Sequence, residues 1–462
     1  MGSPIKVPRR HVDVALPFNF TPRTYQVPVL RALDSGKKRA VVVWHRRAGK
    51  EKTMINYVAR AMHDRVGSYY YFFPTAVQAR KVIWDGMDRE GFKFLNHFPA
   101  PLVKRKNSTE MLIEYKNGSI FQLIGTDKFD HIMGTNPIFC VFSEYSLQDP
   151  RAWDYIRPIL LENGGIAVFD FTPRGKNHAF RLYNNALAQP DHWFVEKLTV
   201  AQTFRPDGTR VITDEMIQQE RADGMTEEMI EQEYYCSFEG VLQGAYYAKD
   251  LARAEAEGRI GVVPWEPDLG VETWWDIGVG DTNAIWFTQS IGREVRVIDY
   301  LEASGESMAF YAKELKAKPY VYLSHNGPHD LRVREYAAGG AERPLSRIEV
   351  GKQLLGMEIK VVPDLSVDDG INAVRGFLGR CWFDRKKCER GLDALWSYQK
   401  EYDEKTQRFR SYPLHNWASN GADAFRYLAV GHKVTRRKRE EQAERAAQLE
   451  HQEGANTGWM GA

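Results

Sequence analysis

Four short, almost wholly apolar runs constrain the first half of the chain most: "AVVVW" at 40–44, "SYYYFFP" ending at Pro74, "IFCVF" at 138–142 and "GIAVFDF" at 165–171. Runs without polar alternation, separated by helical stretches, are strands buried on both faces, and the helices supply the crossovers of a parallel α/β sheet. One stretch departs from this. In "MLIEYKNGSIFQLIG" Asn117-Gly118 separates two alternating runs, which predicts an antiparallel hairpin. Residues 210–258 turn charged, alanine-rich and helical, and the Gly/Pro-marked "EGRIGVVPWEPDLG" then places a domain boundary near 260. A second α/β pattern follows, with "VETWWDIG", "IWFTQ" and "EVRVIDYLE" as consecutive strands and "PYVYLS" as another. Beyond Val434 a charged helical segment decays into a flexible end.

At 462 residues the chain has room for two or three domains. A hydrophobic content of 43% with 27% charged residues is that of a soluble globular protein. The formal net charge of +2 gives no global attraction to nucleic acid, so a DNA surface must come from the distribution of the 63 Lys and Arg. Cys140, Cys236, Cys381 and Cys388 form no C-x-x-C pair, which argues for a reducing compartment and against zinc. No apolar run is long enough for a membrane span and no signal peptide opens the chain, so a cytoplasmic protein is expected.

The first apolar run empties into "HRRAGKEKT", and Met54, Ile55, Val58, Ala59 and Met62 then recur at helical spacing. A strand, a loop ending Ala48-Gly49-Lys50 and an amphipathic helix have the layout of a phosphate-binding loop, in which backbone N–H groups wrap phosphates and the lysine reaches the β and γ positions. Arg46 and Arg47 add two phosphate donors. Taken alone, "RRAGK" fits a basic turn equally well. Two further signals follow in order: Ser143-Glu144 at the end of "IFCVF", where additional-strand ATPases place the acid that polarises the attacking water, and Thr172 at the end of "GIAVFDF", where a hydroxyl can sense the γ phosphate. Upstream, Gln26 in "PRTYQVPVLRAL" suits either an adenine-reading amide or a plain helix start.

The second half offers carboxylates from strand and helix ends, the sources that two-metal phosphodiester cleavage in ribonuclease-H-like nucleases requires. Asp276 lies in "WWDIGVGD" among aromatics, where a carboxylate is costly unless it binds something. Asp330 follows an apolar strand, and Asp423 falls in the first turn of a helix that Ser419 or Asn420 would cap. Asp281 fits a structural and a metal-supporting role equally, and Asp299 fits a structural one.

Together "PRTYQVPVLRAL", "WHRRAGK", "FSEYSLQDPRAWDYIRPILLENGG", "FTPRGKNH", "DIGVGDTNAIW", "PHD" and "DAFRY" resemble the large subunit of tailed-bacteriophage terminases, over nearly the whole chain and in order. The resemblance implies a P-loop, additional-strand, RecA-like ATPase domain at 1–205, a helical linker subdomain at 206–265, a ribonuclease-H-like nuclease domain at 266–434 and a charged tail at 435–462. It implies ATP-driven translocation of double-stranded DNA into a procapsid and endonucleolytic cutting of concatemers. ATP and Mg2+ would serve as cofactors, with Mn2+ an option in the nuclease. The implied partners are double-stranded DNA, a small terminase subunit and the portal protein, on which large subunits form a homo-oligomeric ring, a pentamer when docked. The implied location is the host cytoplasm and, transiently, the portal. Lys50 matches the phosphate-binding lysine, Glu144 the catalytic glutamate, Thr172 the coupling motif, Gln26 the adenine-reading position, and Asp276, Asp330 and Asp423 the metal triad.

This chain departs from the pattern in four places. Glu51 replaces the magnesium-binding hydroxyl, so the metal must be held differently, through Thr53 or water. Ser143 replaces the first acid of the strand-end pair. Met133 stands before Gly134 where relatives carry an arginine finger, leaving Arg47, Arg80, Arg105 and Arg157 as candidates. Asn420 stands where a histidine often precedes the last aspartate. Two alternatives compete: a host-type helicase–nuclease, which would need a second nucleotide-facing core, and a DNA-docking scaffold with a degenerate ATP site.

Overall fold

Each apolar run of the first half is a strand whose alternate residues enter two different cores. The computed structural model describes residues 13–127, 132, 134–239, 244–277, 282–332, 346–403 and 408–432; Met133, Asp281 and the tail 435–462 lie outside them. In β1 (Arg39–Trp44), Ala40, Val42 and Trp44 pack with α1 (Val27–Asp34) and α2 (Lys50–Asp64), while Val41 and Val43 pack with Trp153, Ile156 and Leu160 on the opposite face. Met54, Ile55, Val58, Ala59 and Met62 of α2 are all buried in the first of these cores. Complete burial of each large side chain there contributes about 1.5–3 kcal/mol. That burial fixes α2 over the strand that precedes it.

The remaining strands of this unit are β2 (Ser68–Phe73), β3 (Val103–Asn107), β4 (Leu112–Tyr115), β5 (Ile120–Gly125), β6 (Pro137–Ser143), β7 (Ile166–Phe171) and β8 (Trp193–Leu198). They lie in the order β3-β4-β5-β2-β6-β7-β1-β8, parallel from β5 to β8. β7 is inserted between β1 and β6, which is the additional-strand arrangement of RecA-like P-loop folds. The hairpin forms where Asn117-Gly118 predicts it, with β4 antiparallel to β5 and Gly118 at φ 96°.

The chain divides into two compact units, Met1–Val241 and Leu242–Ala462. The charged segment supplies the helices Asp214–Ala222 and Glu227–Glu233 to the first, whereas Tyr246, Tyr247, Leu251, Ala254 and Ile260 are buried in the core of the second. Composition therefore sets its boundary near 260, but apolar burial sets the division nearer 241.

The second unit has β9 (Ile260–Gly261), β10 (Val271–Asp276), β11 (Thr282–Ile291), β12 (Glu294–Ser304), β13 (Tyr322–Gly327), β14 (Ile359–Val361) and β15 (Cys381–Asp384), in the order β14-β13-β10-β11-β12-β15-β9. β10, β11 and β12 are antiparallel neighbours, and β13 and β14 add in parallel beyond β10. This is the ribonuclease-H-like order, with β15 and β9 as additions at the far edge. β13 begins three residues later than "PYVYLS" suggests, its pairing with β10 starting at Val271↔Tyr322, and the Tyr320 hydroxyl donates to Asp299 Oδ2 at 2.9 Å. Asp299 also accepts from Lys318 Nζ at 2.6 Å, the structural role expected of it. The helix 419–432 lies against the sheet: Trp286 Nε1 donates to Gly421 O at 2.8 Å, and a Cβ on Gly431 would collide with the Trp274 ring. Among the described residues no helix is long and apolar enough to cross a membrane.

Candidate nucleotide and nuclease sites

β1 delivers the chain into a tight turn from His45 to Gly49. Arg47 and Gly49 adopt left-handed backbone, at φ 69° and 84°. The left-handed backbone favours glycine at 49, and a Cβ there would also stand 3.0 Å from Gln26 Nε2. The loop is anchored on all sides. Ala48 O accepts from Tyr25 Oη at 2.9 Å and from Gln26 Nε2 at 3.1 Å, while Arg46 N donates to Glu233 O at 2.9 Å. His45 is buried, with Nδ1 2.6 Å from Arg46 O and Nε2 2.7 Å from Thr203 Oγ1. Burial lowers its pKa to about 4, so the imidazole is neutral, donates through Nδ1 and accepts at Nε2. Trp44 belongs to the core rather than to the turn, with its indole N–H donating to Glu196 Oε2 at 2.9 Å.

Lys50 opens α2 with its ammonium group buried at the carboxyl ends of β1, β7 and β6. Nζ donates to Trp44 O at 3.2 Å and to Thr172 Oγ1 at 3.1 Å, and it lies 3.5 Å from Glu144 Oε1. Burial alone would lower its pKa, but Glu144, then Glu51 and Asp170, outweigh that and hold it raised. Glu144 sits at φ 53°, a strained position for a non-glycine residue and a frequent one at functional sites. Thr172 is linked onward, as its carbonyl accepts from Ser146 Oγ at 2.9 Å. Lys50, Glu144 and Thr172 are thus brought together. Thr53 bonds back to Gly49 O at 2.9 Å within its own helix. The Gln26 amide is occupied at both ends, by Ala48 O and by Arg23 N, which donates to Oε1 at 2.9 Å. Arg46 is exposed and lies 3.7 Å from Glu233, which also pairs with Arg174. Of the finger candidates, Arg80 donates to Ser108 O at 2.6 Å and Arg105 pairs with Glu114.

One member of this pocket escapes a reading of the sequence. Asp170 lies on β7 between Val42 of β1 and Ser143 of β6, on the face that α2 covers. It is fully buried. Ser143 Oγ is 3.2 Å from Asp170 Oδ1 and 3.4 Å from Glu51 Oε1. Burial, then the charge of Glu51, pushes the Asp170 pKa well above the carboxylate range against the pull of Lys50. Glu51 is raised by burial and by Glu144, again against Lys50. The signal in the sequence was a lone acid inside "IAVFDF". A carboxylate within an apolar run costs several kcal/mol unless it has a partner.

In the second unit Asp276 ends β10 on the same face as Trp274, toward the helix 419–432 that carries Asp423. Asp423 Oδ1 accepts from Tyr398 Oη at 3.2 Å and lies 3.4 Å from Arg426. Burial raises its pKa, with Arg426 opposing. The Tyr427 hydroxyl is pushed up to about 12 by burial and then by the charges of Asp276 and Asp423. Asp330 lies in the turn His329–Arg332 after β13, the parallel neighbour of β10. The pairing Trp274↔Asn326 brings this turn to the level of Asp276. Among the described residues no three His, Cys, Asp or Glu side chains form a closed metal cage. The donors at both sites are the hard oxygens that suit magnesium or manganese completed by water and phosphate.

No family profile matches the chain. It is 23% identical over 337 residues to the terminase large subunit of Escherichia phage T5, covering 70% of this chain and 72% of that one. Among solved structures, the large terminase of a thermophilic bacteriophage in complex with ADP is similar at 16% identity and TM-score 0.38, over 88% of this chain and 98% of that one. The large terminase nuclease domain of bacteriophage SPP1 with bound Mn is similar at 14% identity and TM-score 0.27, over 34% of this chain and 84% of that one. The chain resembles the terminase large subunits, as its motifs indicate, and its two folds are established by strand order.

Proposed function

We propose that this chain is the motor and nuclease subunit of a viral DNA-packaging machine, driving double-stranded DNA into a procapsid by ATP hydrolysis and cutting concatemeric DNA with divalent metal. The observation that carries the reading is the meeting of Lys50 with Glu144 at 3.5 Å and with Thr172 at 3.1 Å. A phosphate-binding cation, a carboxylate able to take a proton from water and a hydroxyl on the neighbouring strand then share one pocket. Lys50 would hold the β and γ phosphates, within a loop formed by Arg46, Arg47, Ala48 and Gly49. Glu144 would orient the attacking water and accept its proton, and Thr172 would register departure of the γ phosphate and pass it to Ser146. Gln26 would read adenine by exchanging its present bonds to Ala48 and Arg23 for the base edge. Magnesium would neutralise charge developing on the phosphates. Glu51 stands nearest to where that ion belongs, while Thr53, two residues on, bonds back to Gly49 O one turn before it.

In the second unit Asp276, Asp330 and Asp423, supported by Asp281, would hold Mg2+ or Mn2+ and direct water at a phosphodiester. In this reading residues 1–241 form the motor, with the helices of 206–241 as its linker subdomain, 242–434 the nuclease and 435–462 a tail. The partners would be DNA, a small terminase subunit, the portal protein and further copies in a ring, in the host cytoplasm and transiently at the portal. Lys50→Ala is expected to abolish DNA-stimulated ATP turnover while metal-dependent plasmid nicking persists, and Asp276→Asn to do the reverse. Nicking that survives chelator unchanged would sink the nuclease assignment.

A further inference from the structure

Nucleotide-bound magnesium is ordinarily held by the hydroxyl after the loop lysine and by the first acid at the end of the β6 strand. This chain has neither, since those positions are Glu51 and Ser143. What stands there instead is specific. Ser143 Oγ has one proton and two carboxylate oxygens within reach, Asp170 Oδ1 at 3.2 Å and Glu51 Oε1 at 3.4 Å, so it can satisfy only one of them at a time. Asp170 Oδ2 is buried with no hydrogen-bond partner among the described residues. A buried carboxylate oxygen without a partner marks a missing ligand.

Charge points the same way. Burial and mutual repulsion disfavour the ionised forms of Glu51 and Asp170, and a divalent cation beside their carboxylate oxygens would relieve that repulsion. Register fixes the place: Asp170 pairs with Ser143, one strand over from the vacated acid position and on the same α2-facing side. Magnesium bound with phosphates keeps several waters and needs only one or two carboxylates. No closed protein cage is therefore called for.

We propose that the acid lost at Ser143 has been relocated to Asp170, which with Glu51 holds the hydrated divalent cation of the bound nucleotide. This rests on reading the first unit as an ATP site. The test compares the affinity of the full chain for a fluorescent ATP analogue in Mg2+ and in EDTA. The parent is expected to bind about tenfold or more tightly with the metal. Asp170→Asn, which conserves volume and the acceptor for Ser143, is expected to bring the two affinities within about twofold of each other. Ser143→Asp added to Asp170→Asn restores the acid on the neighbouring strand and should restore the metal-dependent gain. Should Asp170→Asn fail to fold by thermal melt, Glu51→Gln, at the more accessible start of α2, is expected to reduce the gain. A full metal-dependent gain in a folded Asp170→Asn, or in Glu51→Gln where the former does not fold, overturns the proposal. So does a parent whose affinity ignores Mg2+. A parent that binds no nucleotide in either condition overturns instead the ATP-site reading beneath it.

Discussion

Gly49 shows how one residue holds the phosphate loop in shape. At φ 84°, with Gln26 Nε2 3.0 Å from where a Cβ would stand, Gly49→Ala meets backbone strain and a tight contact that shifts the Gln26 amide. The left-handed conformation costs a non-glycine residue about 1–2 kcal/mol. Gly49→Ala is expected to lower the melting temperature and weaken nucleotide binding together, and a loss of neither would show that the loop is free to rearrange. The meeting of Lys50, Glu144 and Thr172 was legible because each follows an apolar run of one parallel sheet. Asp170 was not, because a strand-end acid looks the same whether it faces solvent or a sealed pocket. Only the pairing Ser143↔Asp170 and the burial of Asp170 distinguish the two. Gln26 was visible as a residue, but its bonds to Ala48 and Arg23 are long-range or capping contacts that no spacing encodes.

At the scale of elements, β1 is held to β8 partly through Trp44 and Glu196. Burial raises the Glu196 pKa to about 7 even though the Trp44 indole N–H favours its charged form. Between the ordinary value of 4.5 and about 7 the folded chain retains a proton that the unfolded chain has released. Stability therefore falls as pH rises through that window. Glu196→Gln keeps an acceptor for Trp44 and should flatten that part of the melting-temperature profile, raising it at pH 8 relative to the parent. A slope equal to the parent's would remove Glu196 as its source. The helix 419–432 depends on close approach at Gly431. Gly431→Ala drives a Cβ into the Trp274 ring and must push the helix, and Asp423 with it, away from β10. Overpacking of this kind costs about 1–3 kcal/mol. Nicking should fall while ATP turnover stays at the parental rate. The strands β1, β2, β6, β7 and β10–β13 were legible as apolar runs and the hairpin from Asn-Gly, whereas β3 with its pattern of exposed residues and the short β9, β14 and β15 were not, nor was β8. The start of the second unit was not, because the helix Ala248–Ala256 is alanine-rich and charged like the helices before it, and only burial of Leu251 and Ala254 assigns it.

Over the whole molecule, two sheets of different strand order each bring carboxylates to a strand end, one beside a lysine and one beside a tyrosine. This division predicts two activities that single substitutions separate. The more exacting half of it concerns the first unit, where two expected magnesium ligands are absent and a degenerate, non-hydrolysing site is the competing reading. In the proposed mechanism Lys50 serves binding as well as turnover, so Glu144 discriminates better: removal of a general base typically costs about 10²–10⁴-fold in rate without abolishing binding. The decisive measurement is DNA-stimulated ATP hydrolysis by the full chain carrying Glu144→Gln, with nucleotide binding and metal-dependent nicking followed in the same preparation. Turnover should fall by about 10²–10⁴-fold while both other activities persist. Hydrolysis at the parental rate would contradict the assignment of Glu144 and, with it, the motor reading of this pocket.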